Sequence, residues 1–312
     1  MKPNFLPFIG EKWAGVPEPT ARFEGKTIII TGANVGLGFE AALKFVALGA
    51  SKVILAVRDV LKGAAAARQI DHQTQRKGVT EVWKLDMDHY SSVSQFAARV
   101  SSELPRVDIA ILNAGVTYKD YTVGAEGWES TLQVNVMSTA LLALLLLPKL
   151  RESKTSVEDI AHLVIVTSEA HRWIQATDIP NAGLQSGNIL QSVNAPPADI
   201  KTWNGLHQNA KSKLFAMYVM RSIAALATSP NGEIDVVVSA TCPGACRSDL
   251  TRNFKGAGFS TAVGLKIFNL LFNKTTEEGA RVYVSAAAQG REAHGSWYKT
   301  TSLTRLVMNK EC

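Results

Sequence analysis

The chain has 312 residues, of which 46% are hydrophobic and 19% are charged, as expected for a globular protein with a large core. Its 33 basic and 27 acidic residues leave a net charge of +6 without a Lys/Arg cluster, so no nucleic-acid partner is indicated. The same composition excludes disordered, collagen-like and coiled-coil architectures.

Cysteine content and hydropathy indicate an intracellular protein. Cys242, Cys246 and Cys312 are too few for a disulfide framework and lack further ligands at zinc spacing, so we expect buried thiols and no metal. The most apolar run, 140–147, is far shorter than the roughly 20 residues that cross a bilayer. Segment 1–13 is interrupted by Glu11 and does not have the pattern of a signal peptide. We therefore expect a cytoplasmic protein with no transmembrane segment.

Short apolar runs alternate with helical patterns through most of the chain. Lys26–Thr31 is β-branched and typical of a buried parallel strand. Further strands are predicted at 52–56, 81–86, 107–112, 161–167 and 234–239, with a seventh near 296–300. Helices are predicted at 39–48, 60–72, 91–104, 128–150 and 209–227. The alternation predicts an α/β fold, a single Rossmann-type doubly wound parallel sheet of about seven strands with helices on both faces.

The chain contains no linker that would divide it, so we expect an N-terminal arm at 1–24 and one domain at 25–312. Two long segments, 171–206 and 245–274, interrupt the alternation after the fifth and sixth strands. Ligands bind beyond the carboxyl ends of strands in such sheets, so we interpret both segments as substrate loops. Apolar residues from Val263 to Phe272 indicate a bulky hydrophobic substrate. Packing, a partner or a membrane surface is the alternative.

A glycine-rich turn, Thr31–Gly38, follows the first predicted strand and precedes a helix. Glycines there permit a tight turn and close approach to a pyrophosphate, which the amides of the helix N-terminus then bind. Arg58 follows the second strand and can accommodate the 2′-phosphate of NADP, so we expect NADP(H). Asp59, one residue later, leaves NAD open.

The ordered motifs resemble those of the short-chain dehydrogenase/reductase family over about residues 25–288. They are Thr31-Gly32-x-x-x-Gly36-x-Gly38, Asp86, Asn113-Ala114-Gly115, Asn135, Ser168 and Pro243-Gly244. The run Ala33–Gly38 is similar to a retinol-dehydrogenase-like branch abundant in filamentous fungi. The resemblance implies a homodimer formed through the long helices. It also implies cofactor binding by Gly32, Asn34, Gly36, Leu37, Gly38, Arg58, Asp86, Asn113, Lys213, Pro243 and Gly244.

The resemblance further implies the catalytic groups of carbonyl reduction. A serine polarises the carbonyl, a tyrosine donates the proton, a lysine four residues later lowers the tyrosine pKa, and an asparagine holds a relaying water. Ser168, Asn135 and Lys213 match the serine, asparagine and lysine. Four residues before Lys213, however, the chain has Asn209, whose amide does not donate a proton reversibly.

A second register would pair Lys211 with His207, whose imidazole is a competent acid near neutral pH. Lys211 and Lys213 lie roughly 200° apart around a helix, so both cannot face one site. Arg221, eight residues after Lys213, favours Lys213, and in that register His207, water or the substrate supplies the proton. Tyr218 is expected in the core.

Two functions remain open. One is an NADP(H)-dependent oxidoreductase acting on a carbonyl or alcohol of a bulky hydrophobic small molecule, as in secondary-metabolite biosynthesis. The other is a non-redox protein of the same fold, namely a cyclase, isomerase, dehydratase or silent binding protein, because Asn209 occupies the tyrosine position.

Overall fold

The computed structural model describes residues 15–154, 159–246, 273–299 and 302–304. Eight strands form one sheet in the order β3-β2-β1-β4-β5-β6-β7-β8, in which only the β7–β8 pair is antiparallel. The strands are β1 (Thr27–Thr31), β2 (Lys52–Val57), β3 (Thr80–Lys84), β4 (Ile109–Leu112), β5 (Ala161–Val166), β6 (Val236–Cys242), β7 (Trp297–Lys299) and β8 (Ser302–Thr304). The predicted α/β sheet is confirmed. The added strand, β8, is only three residues long and gives no clear sequence pattern.

Helices cover both faces of the sheet. They are α1 (Gly36–Ala47), α2 (Val60–Thr74), α3 (Tyr90–Glu103), α4 (Ser130–Glu152), α5 (Asn181–Ser186), α6 (Ile189–Asn194), α7 (Gly205–Leu226) and α8 (Thr276–Ala287). Because side chains alternate along a strand, Ile29 of β1 packs in the core shared with α3, α4 and α7, while Ile28 and Ile30 pack with α1, α2 and α8. Two apolar cores therefore enclose the sheet.

Helix α7 begins four residues earlier than its sequence pattern predicts. The Asn204 side chain accepts a hydrogen bond from the His207 backbone N–H at 3.0 Å, which caps the helix and places His207 in its first turn. On the same helix the prediction for Tyr218 is wrong, since this side chain is 40% exposed. The apolar run 263–272 of the second predicted loop lies outside the described residues.

Helix α4 alone among the described helices is long and apolar enough to cross a membrane by length and composition, and 72% of its apolar window is buried inside the fold. Leu142 and Leu146 are fully buried in the core on one face of the sheet. Residues Gln133–Ser138 form a π-helical stretch within the helix, a local widening that often accompanies functional positions.

A charged cluster ties the start of β4 to that of β1. The Asp108 carboxylate is 4% exposed and accepts hydrogen bonds from the Thr27 backbone N–H at 2.7 Å and from Arg106 Nε at 3.0 Å. We predict that Asp108→Asn lowers the free energy of unfolding in urea by about 2 kcal/mol, because hydrogen bonds to a charged group are stronger than neutral ones.

The matched control for this prediction is Glu103→Gln. Its ion pair with Arg99 joins side chains that are 53% and 44% exposed, so we expect a change below about 0.5 kcal/mol. Equal effects of the two substitutions would contradict a structural role for the Asp108 cluster.

Candidate active site

A cleft of about 840 Å³ opens at the carboxyl ends of the central strands. The strand order reverses at β1, because β2 and β3 lie on one side of it and β4, β5 and β6 lie on the other. Open α/β sheets bind ligands at such a switch point. The predicted residues that line it are Gly32, Asn34, Gly36, Leu37, Gly38, Arg58, Asp86, Asn113, Ser168, Lys213, Pro243 and Gly244. Asn135, Asn209 and His207 do not line it.

The glycine turn lines the cleft and leads into the N-terminus of α1, whose backbone amides can bind an anion. Gly32 and Gly36 adopt φ of +68° and +60°, a region that favours glycine. A Cβ on Gly38 would lie 2.6 Å from both the Asn113 Nδ2 and the Gly32 carbonyl oxygen. Only glycine at this position therefore allows α1 to approach the turn and Asn113 so closely. Val35 provides no side-chain cap to α1, and the first turn contains no acidic residue, so its amides are available for a phosphate.

The Asn113 carboxamide is fixed from two sides. Its Nδ2 donates to the Thr31 carbonyl oxygen at 2.8 Å, and its Oδ1 accepts from the Tyr283 hydroxyl at 3.1 Å. Tyr283 of α8 is fully buried, and burial holds its pKa well above 10. The sequence analysis missed Tyr283, because it lies 170 residues from Asn113 and carries no motif.

Positive charge borders the end of the cleft next to β2. Exposed Arg58 lines it together with Lys62, a residue of the first turn of α2 that the sequence analysis missed. Asp59 also borders the cleft, but its carboxylate accepts from the Lys62 backbone N–H at 3.1 Å and so caps α2. This bond lowers the pKa of Asp59, which competes poorly for a ribose hydroxyl while it caps the helix.

Ser168 and Lys213 lie together at the other end of the cleft. The Lys213 side chain is 7% exposed, its Nζ donates to the Val166 carbonyl oxygen at 3.0 Å, and burial lowers its pKa to about 8. The Ser168 Oγ accepts weakly from the Ala170 backbone N–H at 3.3 Å, which leaves the hydroxyl hydrogen free to donate into the cleft.

Asn135 and Asn209 form a buried polar group behind the cleft wall. Asn135 Oδ1 accepts from the Val116 backbone N–H at 2.9 Å, and its Nδ2 donates to the Val116 carbonyl oxygen at 3.0 Å and to Ser212 Oγ at 3.0 Å. Asn209 Oδ1 lies 3.4 Å from the same Nδ2, and Asn209 is 8% exposed. These contacts fix the loop after β4, and Asn209 contributes no titratable group.

The structure places His207 and Lys211 away from the cleft. Both line a separate pocket of about 140 Å³ formed with segment 180–204. The His207 Nε2 lies 3.3 Å from Asp178 Oδ1. Lys213, rather than Lys211, faces the cleft.

Two further residues beside the cleft gave no clear sequence signal. Tyr118 lines the cleft six residues after β4. Lys274 is 3% exposed, its Nζ has no hydrogen-bond partner in the described part of the chain, and it lies 3.8 Å from the position of a Cβ on Gly244. Lys274 therefore places a basic side chain behind the cleft wall.

Comparisons with known proteins agree with this geometry. The family profile described as short chain dehydrogenase matches residues 26–173. The short-chain dehydrogenase/reductase phmF of Phaeosphaeria nodorum is 42% identical over 285 residues, which is 91% of this chain and 80% of that protein. The chain belongs to the short-chain dehydrogenase/reductase family. Another similar member is the short chain dehydrogenase/reductase dmxR8 of a Cryptosporiopsis species, 41% identical over 90% of this chain and 83% of that protein.

Solved structures share the fold of this short-chain dehydrogenase/reductase. The oxidoreductase yciK of E. coli superposes with a TM-score of 0.64 at 22% identity, over 92% of this chain and 99% of that one. A short chain dehydrogenase of Shigella flexneri, complexed with NADP, gives a TM-score of 0.60 at 21% identity, over 90% and 99% of the two chains.

Burial of the Lys213 ammonium has a cost that a stability measurement detects. The unfolded chain binds this proton up to about pH 10.5 and the folded chain only up to about pH 8, so wild-type stability rises with pH across that window. We predict that Lys213→Met raises the melting temperature at pH 7 in the absence of nucleotide, and that this advantage shrinks as the pH approaches 10.5.

The control is Lys201→Met, because Lys201 is exposed. It should leave the melting temperature nearly unchanged at every pH. A Lys213→Met variant that melts below the wild type at pH 7 would contradict the cost assigned to the buried amine.

Proposed function

We propose that the protein is an NADP(H)-dependent oxidoreductase that reduces or oxidises a carbonyl or alcohol on a bulky hydrophobic small molecule. The observation that carries the proposal is the set of residues that line the 840 Å³ cleft. One end has a glycine turn with free amides and two cationic side chains, and the other has Ser168 beside buried Lys213. An anionic dinucleotide and a polarised carbonyl are the ligands that these two ends suit.

The cofactor end favours NADP over NAD. Arg58 and Lys62 supply positive charge where a ribose 2′-phosphate would lie, whereas the nearest carboxylate, Asp59, is engaged as a helix cap. The NADP bound in the Shigella flexneri relative and the NADPH bound in a short chain dehydrogenase of E. coli support the same choice. Asp86 and Asn113 border the path between the two ends and are the residues for the adenine and the adenosine ribose.

At the catalytic end, the residues orient and polarise the substrate. When bound, the reduced nicotinamide supplies the hydride that reduces the carbonyl carbon. Ser168 donates its hydroxyl hydrogen to the carbonyl oxygen, and the Lys213 ammonium holds the nicotinamide ribose and stabilises negative charge nearby. Asn135 is a positioning residue, because its carboxamide hydrogen-bonds both the N–H and the carbonyl group of Val116 and so fixes the loop beside Lys213.

The alternative function is a non-redox activity on the same fold. It is favoured by the amide at position 209 and by the location of His207, which the structure places in a different pocket. Against it stands the retention of the serine and the buried lysine, which a silent binding protein would not need. Lys213 in particular destabilises the empty fold by its burial.

Several broader features belong to the same proposal. The substrate is a hydrophobic molecule of the kind found in secondary metabolism, in keeping with the apolar residues in the sequence of segment 245–274. The protein works in the cytoplasm as a homodimer. The exposed Leu144 and Leu145 of α4 and the exposed Tyr218 of α7 are apolar side chains on the two long helices that would meet in a dimer.

Cofactor titration tests the proposal at Arg58. We predict that the wild type binds NADPH more tightly than NADH, as measured by nucleotide fluorescence. Arg58→Ala should weaken NADPH binding by about 10- to 100-fold, because a charge-assisted hydrogen bond to the 2′-phosphate is lost. NADH binding should change little.

Arg68→Ala is the matched control, since Arg68 is an exposed arginine of α2, the helix that follows Arg58, and does not line the cleft. It should bind both nucleotides as the wild type does. Equal wild-type affinities for NADPH and NADH, or an Arg58→Ala variant that keeps the preference, would contradict the assignment.

A further inference from the structure

We propose that Tyr118 donates the proton that Asn209 cannot supply. The inference rests on the proposed redox function and names the acid of the same site. Tyr118 is a phenol, chemically the same donor that the family uses, but it reaches the cleft from the loop after β4 rather than from α7.

The path of this loop brings Tyr118 to the catalytic end. A Cβ on Gly115 would lie 3.2 Å from Asn135 Oδ1 and 3.8 Å from Lys213 Nζ, so the loop passes the lysine at Gly115. One residue later, Val116 is held by both of its backbone hydrogen bonds to Asn135. Tyr118 follows after two residues and lines the same cleft as Ser168 and Lys213.

Glycine at the start of α7 allows the loop to rest on that helix. A Cβ on Gly205 would collide with the Tyr118 carbonyl oxygen and would lie 3.2 Å from that of Lys119. Gly205 is four residues, about one helical turn, before Asn209. The backbone of Tyr118 is therefore fixed one turn from the position where the family carries its tyrosine.

The other proton donors that line the described cleft are unsuited to the task. The Tyr283 hydroxyl donates to Asn113, and burial holds its pKa well above 10. Burial likewise raises the pKa of Cys246 to about 12, and its thiol points to the Pro243 carbonyl oxygen. The Thr167 hydroxyl donates to the Thr241 carbonyl oxygen at 3.2 Å. With Ser168 assigned to polarisation and Lys213 to the nicotinamide ribose, Tyr118 is the remaining side chain with a hydroxyl that lines the described cleft.

The proton balance of the reductive step is simple. As the carbonyl carbon accepts the hydride, its oxygen gains an electron pair and takes the proton from Tyr118 Oη, and the product leaves as the alcohol. The phenolate then takes a proton from water. In the oxidative direction the Tyr118 phenolate would accept the hydroxyl proton of the alcohol, while the hydride on its carbon would pass to NADP⁺.

Tyr118→Phe removes only the hydroxyl. Against a panel of hydrophobic ketones with NADPH, we expect its kcat to fall by about 10²- to 10⁴-fold, the usual contribution of a general acid. Its NADPH affinity should match the wild type. Tyr121→Phe is the control: its hydroxyl donates to the Asn194 carbonyl oxygen at 2.9 Å and does not line the cleft, so kcat should change less than about threefold.

A rescue experiment separates proton donation from a structural role. Adding Asn209→Tyr to Tyr118→Phe restores a phenol at the family position, so kcat should recover at least tenfold over the single variant. Full activity of Tyr118→Phe, or a loss that Asn209→Tyr does not restore, would overturn the assignment of Tyr118 as the acid. Neither result would overturn the redox function. A wild type that binds NADPH but reduces none of the ketones would overturn the redox function, and the assignment with it.

Discussion

One carboxamide, that of Asn113, joins the parts on which the cleft depends. It donates to the end of β1 and accepts from Tyr283 on α8, and it fills the space that glycine leaves at Gly38. The turn after β1 and the loop after β4 are thereby held together at the switch point of the sheet. Any side chain at Gly38 would push the helix away, so the amides that face the cleft depend on this contact.

A second carboxamide plays the corresponding part at the catalytic end, where Asn135 of α4 fixes Val116 through both backbone groups. The loop between Asn113 and Val116 is therefore anchored at both ends. Asn209 joins the same polar group through its Oδ1, which lies 3.4 Å from Asn135 Nδ2, whereas the bonds that anchor the loop run between Asn135 and Val116. Tyr118 follows on the same loop, and its backbone rests on the start of α7 at Gly205.

The local sequence predicts those parts of the fold and site that short motifs encode. The buried run of β1, the glycine turn and the order of strands and helices follow from periodicity and composition. The start of α7 could not be predicted from apolar spacing, because a side-chain cap from Asn204 sets it. Tyr283 and Lys274 could not be found because their roles depend on contacts between distant segments. The separation of His207 from the cleft could not be predicted either, because it follows from the early start of α7 and from packing against segment 180–204, which has no periodic pattern.

We infer that hydride transfer takes place in this cleft although α7 carries Asn209 at the position of the family's tyrosine. NADPH deuterated at the transferable position of the nicotinamide, incubated with the wild type and a hydrophobic ketone, tests this claim most directly. Mass spectrometry should find an alcohol carrying one deuterium on the former carbonyl carbon, with NADP⁺ formed in equal amount. Tight binding of NADPH with no labelled alcohol from any ketone would contradict the claim and would indicate a non-redox member of the family.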